Sequence, residues 1–413
     1  MDQLLPVDDA IDRLRRAVLP VGVEESPLFS CYGRTLAKDM IANTDVPAFD
    51  RAMLDGFVVR SADTQMATRE HPVYVRLHDT TVGAGYAKTL VCESGMAIRT
   101  MTGAPVMPGA DAVVRLEHAD VCEQNGTAFL KVSQVVTIGE AIQAKGHDMQ
   151  AGTTVLHRGQ RVTAAVMATA AAQGYASLPV FIMPKMAVMS TGSELAEVGD
   201  PLQPGQLYNS NSPLLSGIIR SVGFEADVLP PVMDESMRLR DRLQYVLANY
   251  DVVITTGGVS IGDFDLVPDT LESLGVQRLF WGVWMRPGTP LYAGTYGQNK
   301  LVLAFSGNPA AAFVHAIIFL LPVLESMTGM TRHALQQVHQ AKLLAAPVHK
   351  KRTKHTRFLR AALIERDGTL FADVHADQSS GTIQSYVGAD VLVRLEPDGL
   401  WESSATVTTY KIP

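Results

Sequence analysis

At 413 residues, 47% hydrophobic and 19% charged, the chain is too long for one core and has the make-up of an ordinary globular protein of roughly two to four domains. A net charge of −7 offers no basic footprint for nucleic acid, and Cys31, Cys92 and Cys122 lie too far apart for a disulfide framework or a zinc pattern, so a reducing compartment is expected. The charged N-terminus lacks an apolar signal core, and the nearest candidate for a span, residues 310–324, is broken by His315 and Pro322, so no membrane contact and a cytoplasmic location are expected.

Residues 6–18 carry apolar side chains at helical spacing, with Asp8 and Asp9 in the first turn, where the helix dipole favours acids. A helix in a scaffolding or dimer-forming region is expected there. In VPAFDRAMLDGFVVR (46–60), the pair Asp55-Gly56 reads as a tight turn into a strand. Residues 72–146 alternate short β-rich runs with glycine turns, an antiparallel or barrel-like signature. Within them, IRTMTGAPVMPGADAVV (98–114) has threonine hydroxyls that could hold phosphate oxygens, although each such segment alone reads more simply as a plain loop. Residues 163–173 form an alanine-rich helix closed by Gly174.

From Pro184 a strand–loop–helix rhythm repeats, predicting a doubly wound, mainly parallel sheet over about 180–327. Its centre is DVVITTGGVSIGDFD (251–265), a β-branched run of the kind buried on both faces, entering three glycines and then two acids. Ligands of such sheets bind beyond the carboxyl ends of the strands. Glu194, Asp234 and Asp265 each follow a predicted strand end, so they should converge and could hold a hard cation. Gly307-Asn308-Pro309 opens an apolar helix, an end suited to anions. Beyond Gly329 a basic run, KKRTKHTRFLR (350–360), leads into alternating β runs of a small all-β domain.

Taken in order, PAFDRAMLDGFVVR, IRTMTGAPVMPGADAVV, STGSEL, TTGGVSIGDFD, RPGTP, SGNPAAA and QSSG resemble, over essentially the full length, the molybdenum insertases of the MoeA and gephyrin E-domain family. The resemblance implies a multidomain α/β fold: a discontinuous dimerisation domain (1–45 and 147–178), a β-rich domain (46–146), a molybdopterin-binding-like α/β domain (179–327) and a C-terminal β domain (328–413). It implies a homodimer whose active site lies between the α/β domain of one subunit and the β-rich domain of the other. The implied reaction is magnesium-assisted transfer of molybdate into adenylylated molybdopterin, with release of AMP. Molybdopterin adenylyltransferase and other molybdenum-cofactor proteins are the implied partners.

On this resemblance Asp55, Glu194, Asp234 and Asp265 are catalytic, and the last three hold the metal. Thr102, Thr191, Gly192, Gly257, Gly258, Ser260, Arg286, Gly307, Asn308, Pro309 and Ser380 bind substrate.

The departures from the family pattern fall on the anion side. Ala52 replaces a serine, Ser193 an acid, and Ser306 and Ala311 replace proline and serine. His147 and His355 also depart, and of three family lysines two become Gly282 and Thr289 while the third is Arg286. Weak molybdate binding is therefore expected, with a gain on restoring lysine at 282 and 289; Arg357 and Arg360 are the next basic groups to consider. Two other readings stay open: a non-catalytic paralog that binds pterin or nucleotide or scaffolds cofactor assembly, and a phosphoanhydride hydrolase on the same sheet.

Overall fold

The computed structural model describes residues 3–86, 88, 90–233, 235–260, 266–347, 353–399 and 401–413. These form two compact units, one comprising Met1–Lys38, Gly159–Thr163 and Ser177–Pro413, the other Asp39–Arg158 and Ala164–Ala176.

The first unit is built on a six-stranded sheet. Ala226–Val232, Met186–Thr191, Val252–Thr256 and Lys300–Phe305 run parallel, and Leu291–Tyr296 and Gln277–Trp281 extend the sheet antiparallel. Val252–Thr256 is buried along its whole length, which is why its sequence shows no polar alternation. On one face lie Asn211–Ser221 and the apolar helix beginning at Pro309, on the other Ser236–Asn249 and Val267–Ser273. The sheet is thus doubly wound, as the βαβ rhythm predicts.

The Pro309–Met327 helix spans 19 residues, longer than the apolar run suggested, and is long and apolar enough to cross a membrane. It is 94% buried inside the protein, where it forms the middle of the larger core. Pro322 is accommodated because the preceding Ala316–Leu320 turn is π-helical, which loosens the ladder ahead of a residue that has no N–H to donate.

The Val7–Ala17 helix, expected in a dimer-forming region, packs its apolar stripe of Val7, Ala10 and Leu14 inside the chain, on this same core. Three ion pairs among the described residues hold it: Arg15 to the buried Glu325 (2.9 Å), Asp8 to Arg394 (2.7 Å) and, at the surface, Asp12 to Arg332 (3.3 Å).

C-terminal to the sheet, Thr356–Arg366, Thr369–Val374, Val338–Leu343, Thr406–Lys411 and Val391–Leu395 pair in a ring, each with two neighbours. Closure removes the open edges that would otherwise template other chains. One short strand of the preceding region, Met285–Arg286, joins the ring by parallel pairing to Thr356–Arg357.

The second unit holds a six-stranded sheet in the order Ala112–Arg115, Gly56–Val59, Met96–Thr100, Val73–Val82, Thr127–Val132, Asp120–Gln124. The expected antiparallel pattern holds except between Val73–Val82 and Met96–Thr100, which run parallel. Gly56 starts its strand because a Cβ there would stand 2.1 Å from the Val114 carbonyl oxygen.

Candidate active site

At the carboxyl ends of the parallel strands three loops meet backbone against backbone. Gly257 has φ +96°, and a Cβ on it would lie 2.3 Å from the carbonyl oxygen of Thr191; one on Gly307 would lie 3.3 Å from the Gly257 Cα. Only glycine permits both the conformation and the approach. The result is a cleft of about 370 Å3 whose walls include Thr191, Gly192, Glu194, Gly257, Gly258, Ser260, Gly307 and Pro309. Eight of the residues expected to bind or act are therefore gathered in one place. Glu194 is exposed there and folds back over Gly192, where a Cβ would meet its carboxylate at 2.5 Å. Asp234 and Asp265 lie outside the described residues.

The floor of this cleft is polar, and sequence reasoning missed it. Asn211 donates through Nδ2 to Thr256 Oγ1 (2.8 Å) and to the Gly307 carbonyl (2.9 Å), tying two of the loops together. Its own Oδ1 is buried without a partner, as is Thr191 Oγ1. Buried polar atoms are ordinarily paired, and these two unmet groups both belong to residues that line the cleft. Beneath them Ser190, Asn209 and Ser212 bond to one another at 2.9–3.0 Å. The available signal was the run Asn209-Ser210-Asn211-Ser212 immediately before an apolar helical pattern.

Behind the 306–309 loop lies a larger cleft of about 1010 Å3, whose walls include Arg286, Thr289, Ser306, Asn308, Arg357 and Ser380. Asn308 caps its helix, accepting from the N–H groups of Ala310 (3.0 Å) and Ala311 (3.3 Å), so two of the donors expected to meet an anion are already engaged. The loop carrying Ser380 is fastened to the barrel. The buried Arg360 donates to the carbonyls of Asp377 (3.3 Å) and Ser379 (3.1 Å), while Gln378 accepts from Arg360 N–H (3.0 Å) and donates to its carbonyl (2.8 Å). Arg360 also faces the Tyr386 ring, which stacks on Phe313 of the apolar helix. Its guanidinium thus serves to hold the loop, and burial pushes its pKa down.

The departures at 282 and 289 look different in three dimensions. Gly282 is buried, with φ +107°, and its carbonyl accepts from Leu5 N–H; it is not on the wall of either cleft. Thr289 turns its hydroxyl inward, donating to the Met285 carbonyl at 2.8 Å. Lysine at 282 would be strained by that left-handed backbone. The gain expected from restoring both lysines is therefore opposed at 282 by a buried, left-handed backbone, and at 289 by loss of the bond to the Met285 carbonyl. The same loop is anchored by His315, whose Nε2–H donates to the Gly288 carbonyl at 2.8 Å. Burial pushes the His315 pKa down to about 4, so the ring is neutral.

In the second unit, Asp55 Oδ1 accepts from both the N–H and the hydroxyl of Thr102, each at 2.7 Å. The backbone bond, then the hydroxyl, hold the Asp55 carboxyl below the usual carboxylate range.

Magnesium needs hard oxygen ligands but commonly takes only one or two carboxylates, the rest coming from substrate phosphates and water. Among the described residues no three His, Cys, Asp or Glu groups cluster tightly enough for a metal, and Glu194 alone brings a carboxylate to the first cleft. With phosphate oxygens as co-ligands, Glu194 fits such an ion.

A doubly wound sheet with a glycine-lined cleft at its strand ends is the arrangement in which α/β proteins bind ligands. Residues 5–174 match the MoeA N-terminal region (domain I and II), 187–326 the family described as "Probable molybdopterin binding domain", and 342–407 the MoeA C-terminal region (domain IV). The chain is 35% identical to the molybdopterin molybdenumtransferase of Bacillus subtilis over 411 residues, 99% of this chain and 94% of that one. It is 36% identical to molybdopterin molybdenumtransferase 2 of Mycobacterium tuberculosis over 88% of each chain. Among solved structures, a molybdopterin biosynthesis MoeA protein from Pyrococcus horikoshii superposes with a TM-score of 0.83 at 28% identity, covering 100% of both chains. The chain belongs to the MoeA family.

Proposed function

We propose that this protein is a molybdenum insertase, a transferase that moves molybdate into adenylylated molybdopterin, releasing AMP and molybdenum cofactor. The observation that carries this reading is the pair of clefts flanking the 306–309 loop. One is lined by glycine turns and unmet polar atoms, the other by arginines and serines. That division suits a phosphate-bearing pterin nucleotide on one side and a tetrahedral oxyanion on the other.

In this reading Thr191, Gly192, Gly257, Gly258, Ser260, Gly307 and Pro309 receive the adenylylated substrate, and Arg286, Asn308 and Ser380 receive molybdate. Asn211 and Thr191 orient the ligand through their free oxygens. Glu194, with Asp234 and Asp265, would hold magnesium, which supplies charge neutralisation at the phosphoanhydride as it breaks. Asp55 and Thr102 act in the same reaction. The domain division given above, a homodimer, a cytoplasmic location and a hand-over from molybdopterin adenylyltransferase belong to the same proposal. The inward-turned Thr289 favours a second reading, a paralog that binds pterin or nucleotide without transferring metal.

The deciding experiment scores AMP release from adenylylated molybdopterin with and without molybdate. Release only with molybdate supports the insertase; binding without release supports the paralog. Asp265→Asn should abolish release while the protein stays folded. Near-wild-type turnover of that variant at saturating magnesium would remove Asp265 from the mechanism.

A further inference from the structure

Two of the positive charges on the larger cleft come from different parts of the chain. Arg286 closes the short Met285–Arg286 strand and Arg357 stands near the start of the barrel's Thr356–Arg366 strand; the two are register partners in a parallel pair. Paired residues on neighbouring strands project to the same face, with backbones about 4.8 Å apart. Two guanidinium groups are therefore held side by side at the wall of one cleft.

Like charges so placed repel, and a fold tolerates them where something else offsets the cost. Among the described residues, neither arginine pairs with a carboxylate. Arg357 Nε is buried and has no hydrogen-bond partner. Burial, and then the charge of Arg286, lower the Arg357 pKa, so the pair sits in an unfavourable field. The neighbouring His355 ring packs on Trp284, and its pKa is lowered by burial and by both arginines, so it adds no further charge near neutral pH. Asp373 lies on the same cleft wall as an exposed carboxylate.

We propose that Arg357 is a second oxyanion-binding residue of this cleft, forming with Arg286 a two-guanidinium clamp for a tetrahedral dianion, molybdate on the insertase reading. Thr289 gives the cleft wall no positive charge, and Arg357 brings one from the barrel side. Two planar forks can grip separate oxygen pairs of one tetrahedral ion, and the dianion cancels their repulsion. The proposal depends on the insertase reading only for the identity of the oxyanion.

The test is calorimetric titration of molybdate into the full-length protein, comparing wild type, Arg357→Ala, Arg357→Lys and a charge control, Arg238→Ala, on an exposed helix. Loss of one charge-assisted interaction should weaken molybdate about ten- to a hundredfold in Arg357→Ala. Arg357→Lys should be weakened less, because an ammonium keeps the charge without the fork, and Arg238→Ala should bind as wild type does. Wild-type affinity in Arg357→Ala, an equal loss in Arg238→Ala, or no molybdate binding by wild type overturns the proposal. If Arg357→Ala does not fold, wild-type affinity in Arg357→Lys overturns it equally. AMP release run in parallel separates the two readings. Arg357-dependent molybdate binding without molybdate-dependent release leaves the clamp standing and removes the insertase.

Discussion

Gly257→Ala probes the turn on which the first cleft depends. The new methyl must sit at φ +96° and 2.3 Å from the Thr191 carbonyl oxygen, a backbone atom that cannot rotate away. The left-handed conformation costs about 1–2 kcal/mol for a residue with a Cβ. Relief of the overlap by backbone movement adds about 1–3 kcal/mol. The expected sum, roughly 2–5 kcal/mol, is survivable for a domain of ordinary stability. It should lower the melting temperature by roughly 5–15 °C. Gly199→Ala is the control, since Gly199 has φ +107° with nothing within 4 Å of the added Cβ. It should show only the conformational part. Scanning calorimetry gives the stability of both variants. Trp281, whose indole N–H donates to the Val259 carbonyl at 3.0 Å, reports by fluorescence whether the 257–259 turn has moved. Equal melting temperatures for the two variants, or full AMP release by Gly257→Ala, would refute the close-approach argument.

Other outcomes follow from the same structure. His315 is held neutral at a pKa of about 4 against an unfolded value of 6.5, so the unfolded chain takes up its proton first as pH falls. Stability should be complete above about pH 6.5 and decline by on the order of 3 kcal/mol down to about pH 4, and urea titrations of His315→Phe should lack that component. Glu325→Ala leaves the half-buried Arg15 unpaired and strips an acceptor from the Leu335 and Gln336 N–H groups, a loss of about 3 kcal/mol readable as a lower urea midpoint. Asp55→Asn, at an exposed position, should leave the melting temperature nearly unchanged while AMP release falls at least tenfold. Chelation with EDTA should stop AMP release and added magnesium should restore it; release that persists after exhaustive chelation would argue against a metal role for Glu194.

What the sequence determined by itself was local. Val252–Thr256 reads as a buried strand because burial on both faces removes polar alternation, and Gly257-Gly258 reads as a turn because only glycine enters that conformation cheaply. The helices at 7–17 and 164–172 were legible for the same reason, their period and end residues lying within one short window. That the loops carrying Glu194 and Gly307 should meet came from a topological rule, that parallel strands present their ends together, whereas Thr191 and Gly192 entered through the family resemblance. The tertiary structure alone decided the rest. Arg286 and Arg357 become neighbours through parallel pairing between segments about seventy positions apart, and no periodicity encodes that register. Nothing local distinguishes Gly282, buried with its carbonyl bonded to Leu5, from a position facing the cleft. Nor does composition reveal that Asn211 spends one side of its amide on two loops and leaves the other unpaired. Strand and turn are preferences of a few adjacent residues, whereas a binding wall is a meeting of side chains whose positions depend on how the whole sheet and barrel pack.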